Sequence, residues 1–215
     1  MVAQQPLSGV VRQPAPTLGP RAQRSVASII DAAREVFLRC GYAGTTIDEI
    51  GRAANVSRAS FYTYFSSKRD VLLAVGARSA GDTVVVIDRL GDLGGTRVGM
   101  QMWVEMFMDH LEVNGSFAFA WTQAAREDPE ILSGGMKRHL ALCRHFGEVL
   151  AGTAGRTTPD PVALGICMFS SLERAWSYCS LYGDAVDQES VRAQLATALW
   201  ATARHPATSS SGGGR

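Results

Sequence analysis

The chain has 215 residues, a formal net charge of +1, 46% apolar residues and 19% charged ones, which excludes a collagen-like, low-complexity or highly charged disordered chain. No apolar run of about 18 residues is present and the start lacks the charged-then-apolar pattern of a signal peptide, so neither a membrane span nor secretion is expected. Cys40, Cys143, Cys167 and Cys179 fall singly inside apolar helical patterns with no metal-ligand spacing, which points to reduced, buried core thiols in a cytoplasmic protein without metal or cofactor.

The small net charge hides an asymmetry. Arg21 to Arg69 holds eight basic and four acidic residues, whereas Asp70 onward holds twelve and sixteen. A basic head on an acidic body is what a local phosphate-contact surface produces.

Residues 1–20, rich in Pro, Gln, Ser and Gly, read as a disordered tail. Arg21 and Arg24 follow, either as a basic arm that touches a DNA backbone or minor groove, or as a solvated helix start. The first helix spans about Ala22 to Cys40, with Val26, Ile29, Ile30, Ala33, Val36 and Phe37 on one stripe, and Gly41 ends it. Thr45 or Thr46 caps a second helix whose first turn carries Asp48 and Glu49, where a helix N-terminus favours negative charge. Ile47, Ile50, Ala53 and Ala54 make its apolar face. Asn55 stops it, since Asn tolerates a left-handed backbone. Ser57 caps a third helix through Phe65, with Phe61 and Phe65 on its buried side.

Two short helices joined by a tight turn make a helix-turn-helix, whose second helix fits a DNA major groove. Its exposed face carries Arg58, Ala59, Ser60, Tyr62, Thr63 and Tyr64. Arg grips guanine at two points, Ser and Thr reach base edges or phosphates, and a Tyr hydroxyl reaches phosphate oxygens. Acidic residues are missing from Val56 to Arg69. Lys68 opens the next helix, where a cation is disfavoured by the helix dipole unless a phosphate lies nearby. The candidate DNA contacts are therefore Arg24, Thr45, Thr46, Ser57, Arg58, Ala59, Ser60, Tyr62, Thr63, Tyr64 and Lys68.

The segment Arg24 to Val71 resembles the N-terminal domain of the TetR family of transcriptional regulators. The marks are I-I-D-A-A-R-E-V-F-L-R-C-G-Y-A-G-T-T-I-D-E-I and then A-A-N-V-S-R-A-S-F-Y-T-Y-F-S-S-K-R-D-V-L. Two positions depart from the family pattern: Gly51, where Ala is usual, and Ala59-Ser60, where many members carry Gly. The resemblance implies an all-α chain, a phosphate contact for Lys68, a long fourth helix linking head to body, and a dimer interface from the last two helices.

The fourth helix is expected from Lys68 to about Leu90, although Thr83 to Ile87 alone has strand propensity. A Gly-rich loop covers Gly91 to Gly99. Helices are expected over about Thr96 to Val113, broken by Asn114-Gly115, then Ser116 to Arg126, then from an Asp128 cap onward, loosened by Gly134-Gly135. The last two span about Pro159 to Tyr182, with Leu164, Cys167, Met168, Leu172, Ala175, Tyr178 and Cys179 on one face, and Asp187 to Ala203. Small residues and an apolar patch on this pair suit a four-helix dimer contact. The expected domains are a tail at 1–20, a helix-turn-helix domain at 21–68, an effector-binding and dimerisation domain at 69–204 and a tail at 205–215.

The body is dense in aromatic and Met side chains, the chemistry of an adaptable apolar pocket with a few orienting polar groups. Trp103, Met106, Phe107, His110, Phe119, Trp121, Met136, His139, Cys143 and Tyr178 are its candidate lining, with Gln123 as a further polar group. No nucleophile elbow, phosphate-binding loop, dinucleotide fingerprint or zinc-protease motif is present, so an enzyme is not expected. The expected function is a ligand-responsive regulator: a homodimeric repressor on a palindromic double-stranded DNA operator, released by a small apolar effector. The same head also serves an activator or a ligand-independent DNA binder.

Overall fold

In the computed structural model, residues 19–205 are described, apart from the side chains at 116–120 and 127. The described residues form α1 (Pro20–Gly44), α2 (Ile47–Ala53), α3 (Arg58–Tyr64), α4 (Lys68–Leu93), α5 (Arg97–Glu127), α6 (Pro129–Gly152), α7 (Pro161–Tyr182) and α8 (Gln188–Arg204), with a 3₁₀ turn at Gly183–Ala185. The chain is all-α, as expected. The expected tails lie almost wholly outside the described residues. Pro20 already begins α1, which places Arg21 and Arg24 on its exposed opening turns rather than in an extended arm.

Two compact units result. The first joins the chain up to Ser79 to Ser116–Lys137, and the second joins Ala80–Gly115 to Arg138 onward. Helices α4, α5 and α6 each give one part to each unit.

The core of the first unit follows the α1 stripe. Ile29, Ala33, Val36 and Phe37 are fully buried, together with Ile50 of α2, Phe61 of α3, Val71 and Leu72 of α4, Ala124 of α5 and Ile131 of α6. Burying each large side chain is worth about 1.5–3 kcal/mol, which a three-helix head alone supplies sparingly. Ala124 and Ile131 come from far along the chain to complete it. Gly41 stops the straight run of α1 with φ 68°, a left-handed conformation that Gly adopts without strain. Asp128 caps α6 as expected, its carboxylate accepting from the backbone N–H groups of Glu130 at 2.9 Å and Ile131 at 3.3 Å.

The second unit is built round stacked rings. Trp103 lies 4.9 Å from Phe107 and 5.5 Å from Phe146 between ring centroids, and Phe169 meets Phe107 edge-on at 5.5 Å. The Trp103 indole N–H donates to the Val86 carbonyl at 2.7 Å, so the one polar atom of this stack is satisfied.

Two expectations are corrected by the structure. Asn114-Gly115 does not break a helix: α5 runs through it. The Asn114 amide donates back to its own helix, to the His110 carbonyl at 3.3 Å, and Gly115 makes room for the Trp176 ring, which a Cβ would meet at 2.7 Å. Gly134-Gly135 lies near the start of α6, where Gly135 accommodates the Trp121 indole. The buried stripe of α7 is Gly165, Phe169, Leu172, Trp176 and Cys179, which turns Cys167 and Tyr178 outward. Its register is set by close approach to α6, since a Cβ on Gly165 would lie 1.8 Å from the Cys143 carbonyl oxygen. Of the four thiols, Cys143 and Cys179 are buried, Cys40 is half-buried and Cys167 is exposed.

The strand-prone run at Thr83–Ile87 is helical. Ile87 is fully buried, and the hydroxyl of buried Thr83 bonds His110 Nε2 at 3.1 Å, so tertiary contacts override the local preference.

Candidate nucleic-acid interface

The interface is assembled from short-range chemistry. The Thr46 hydroxyl accepts from the Glu49 N–H at 3.2 Å, and the Glu49 carboxylate accepts from the Thr46 N–H at 2.8 Å, a reciprocal capping box that starts α2. The Thr46 hydroxyl also donates to the Glu49 carboxylate at 2.8 Å, and this bond, with the one from the Thr46 N–H, holds the Glu49 carboxyl below its usual range. Asn55, at φ 54°, turns the chain, and the Val56 N–H bonds the Gly51 carbonyl at 2.9 Å. A Cβ at Gly51 would stand 3.1 Å from the Val56 carbonyl oxygen, so the departure from Ala fits a turn drawn tightly against α2. The Ser57 hydroxyl caps α3 by accepting from the Ser60 N–H at 3.1 Å.

Phe61 and Phe65, with ring centroids 5.8 Å apart, anchor α3 in the core. The opposite face carries exposed Arg58, Ala59, Tyr62 and Thr63, with Ser57 at its head. Ser60 is half-exposed, and Tyr64 is half-buried against the core. The Arg58 guanidinium donates to Asp48 at 2.7 Å and to the Tyr62 hydroxyl at 3.3 Å, and its carbon lies 5.5 Å from the centre of the Tyr62 ring. The Asp48 carboxylate pushes the already high Arg58 pKa higher still. Arg24 and Thr46 are exposed as well.

Two candidates are placed otherwise. Thr45 is only 2% exposed, and its hydroxyl donates to the Gly41 carbonyl at 2.6 Å, so it braces the turn before α2 from inside. The Lys68 ammonium donates to the carbonyls of Tyr42 at 2.6 Å and Thr45 at 2.9 Å, and it sits 4.5 Å from the centre of the Tyr42 ring. A cation at a helix start is thus balanced by carbonyl groups at the end of α1. That pairing of residues more than twenty positions apart is absent from any local pattern.

The candidate ligand residues are divided between the two units. Trp121 and Met136 belong to the first unit, half-buried and exposed respectively, and Phe119 lies outside the described side chains. In the second unit Trp103, Phe107 and Cys143 are wholly buried, while Met106, His139 and Tyr178 reach the surface. His110 bridges Thr83 through Nε2 and Asn114 through Nδ1, each at 3.1 Å. Because an Asn Nδ2 only donates, Nδ1 accepts and the ring proton of a neutral His110 lies on Nε2. Two cavities of this unit, of about 270 and 470 Å³, are lined by other residues: Arg97, Trp200 and Arg204 in the first, Arg156, Thr158 and Leu164 in the second. Sequence reasoning missed Glu173. Burial lifts its carboxyl to about 7, and the same effect lifts the Cys143 thiol to about 11 and lowers His139.

Residues 29–75 match the family model of bacterial regulatory proteins, tetR family. The head of the chain is thus a TetR-type N-terminal domain. The chain is 44% identical over 54 residues to the HTH-type transcriptional regulator SrpR of Pseudomonas putida, a stretch that is 25% of each protein. It is likewise 44% identical over 43 residues to IcaR of Staphylococcus aureus, a negative transcriptional regulator of the biofilm operon icaADBC, covering 20% of this chain and 23% of that one. The chain thus spans about a quarter of the length of these curated relatives. Beyond the head the likeness is one of fold. The fatty acid degradation regulator FadR of Bacillus halodurans superposes with a TM-score of 0.66 at 21% identity, over 88% of this chain and 99% of that one. Among the described residues no helix is long and apolar enough to cross a membrane, and no group of His, Cys, Asp and Glu stands ready for a metal ion.

Proposed function

We propose that this chain is a TetR-family DNA-binding transcriptional regulator that acts as a homodimeric repressor and is released by a small apolar effector. One observation carries the reading. The α3 helix, anchored by Phe61 and Phe65, turns Arg58, Tyr62, Thr63 and the Ser57 cap outward, and no acidic residue lies between Val56 and Arg69. Two such helices, one from each protomer, reach successive major grooves about 34–36 Å apart. Exposed Arg24, Thr46 and Ala59, with half-exposed Ser60 and Tyr64, supply backbone or shallow contacts in this reading.

Dimerisation through α7 and α8 is supported by the apolar side chains that α7 leaves in solvent, Ile166, Tyr178, Leu181 and Tyr182. Repression is supported by the kinship of the head with IcaR, a negative regulator. An apolar effector is supported by the fold shared with a fatty acid degradation regulator and by the aromatic build of the second unit.

Selection of bound fragments from random DNA, at a stated salt concentration, tests the reading. A two-fold symmetric site is expected, and Arg58→Ala should weaken binding to it by about tenfold or more through lost base contact. Enrichment of no sequence by ligand-stripped dimer would sink the proposal.

A further inference from the structure

The ion pair between α2 and α3 has a consequence for how the DNA is read. Asp48 sits in the first turn of α2, where an acid favours the helix dipole. That position is already served by Glu49, whose carboxylate closes the capping box with Thr46. Asp48 instead accepts a hydrogen bond from Arg58 Nη1 at 2.7 Å, across the turn and ten residues on. Both side chains are 58% exposed. An ion pair so open to water adds little to stability, so a structural role alone is a weak reason for it.

Its position matters more. Arg58 is the exposed cation of the recognition helix, and it is held on three sides: by Asp48, by the Tyr62 hydroxyl at 3.3 Å, and by the Tyr62 ring beside its guanidinium carbon. Two of the five guanidinium N–H groups are thereby engaged, and three remain for an acceptor. A long side chain fixed in this way reaches a base edge without first losing its rotamer freedom, which improves binding to the sequence it fits. The same carboxylate neutralises the charge that would attract any phosphate and sets a negative group on the face that meets DNA. Both effects weaken binding to arbitrary sequence.

We propose that Asp48 is a specificity-determining positioning residue: it orients Arg58 for base contact and withholds it from indiscriminate phosphate contact. This rests on the reading of α3 as the recognition helix.

The test is a double-mutant cycle of Asp48→Ala and Arg58→Ala, with Asp48→Asn as a variant of conserved shape. Dissociation constants are measured by fluorescence anisotropy for the selected site and for a scrambled duplex at the same salt. The wild-type protein comes first; if it prefers no site, the DNA-binding reading fails before Asp48 is tested. Given a wild-type preference, Asp48→Ala and Asp48→Asn should each lower the ratio of specific to non-specific affinity by about tenfold, with non-specific binding unchanged or tighter. In the Arg58→Ala background the same substitutions should leave the ratio unchanged, because Asp48 acts through Arg58. Equal losses on both duplexes, an unchanged ratio, or the same effect with Arg58 absent would overturn the proposal.

Discussion

Two glycines inside helices of the second unit should respond in opposite directions to one added methyl group. Ala in place of Gly in a helix interior gains about 0.5–1 kcal/mol from backbone entropy. At Gly81 in α4 a Cβ would meet nothing within 4 Å, so Gly81→Ala should collect that gain. At Gly115 in α5 the Cβ would stand 2.7 Å from Cζ3 and 2.8 Å from Cη2 of Trp176, against an ordinary carbon contact of about 3.5–4.0 Å. The ring has little room to yield: Trp176 is 6% exposed, and its indole N–H donates to Glu112 at 2.8 Å. Overpacking of this kind costs about 1–3 kcal/mol, so Gly115→Ala should be destabilising by up to about 2.5 kcal/mol after the helix gain. At this chain length 1 kcal/mol moves Tm by about 2–4 °C. Thermal and urea melts followed by circular dichroism should show Tm rising for Gly81→Ala and falling for Gly115→Ala. A Gly115→Ala protein as stable as Gly81→Ala would refute the reasoning and return Asn114-Gly115 to the role of a helix break.

Thr46→Ala removes the capping box and should cost about 1 kcal/mol, read as a lower urea midpoint; no change would mean that Glu49 caps α2 unaided. Lys68→Met keeps the aliphatic stem but strips the ammonium from the Tyr42 and Thr45 carbonyls and the Tyr42 ring, and should cost about 1–2 kcal/mol. A fall of about 0.9 in the slope of log K against log salt, with stability untouched, would instead assign Lys68 to a phosphate. Glu173, raised by burial from 4.5 to about 7, binds a proton more readily folded than unfolded, so its contribution to stability is full below 4.5 and is lost as pH rises through about 7. Glu173→Gln should therefore flatten the dependence of Tm on pH over that window and raise Tm by a few degrees at pH 8; a profile identical to wild type would show that the carboxyl titrates normally.

The head was legible because its instructions are local. Gly41, the Thr46–Glu49 pair, Asn55 and Ser57 each act within four residues, and an apolar stripe of period 3.6 needs no knowledge of its partner. What escaped were contacts between residues distant in sequence. Thr45 and Thr46 are chemically alike, yet only the depth of the turn decides which one is buried. Lys68 reads as a free cation until the carbonyls of Tyr42 and Thr45 arrive beneath it. Asp48 reads as a dipole charge until the turn brings Arg58 opposite. In the body, Asn114-Gly115 has the composition of a break, and the shape of Trp176 makes it a notch instead. The candidate ligand residues form a composition class, and composition does not say which aromatic side chains fill a core. Trp103, Phe107 and Cys143 went into it, Trp121 and Met136 went to the other unit, and Tyr178 turned outward to stack on Tyr182.

The packing of the second unit bears on how an effector would act. Trp103, Phe107 and Phe146 are fully buried and lie on one another, so a ligand that reaches these rings must part them. The parted arrangement is then a minor state of the free protein, and the apparent affinity of the ligand is its intrinsic affinity reduced by that state's population. An effector acting here works as a population shift rather than as occupation of a preformed site, and by linkage whatever it takes from DNA affinity, DNA takes from its own. Such binding should quench or shift Trp103 fluorescence in step with release of DNA. Release without any change at the stack would place the effector elsewhere, and the arginine-flanked cavity at Trp200 would be the next place to look.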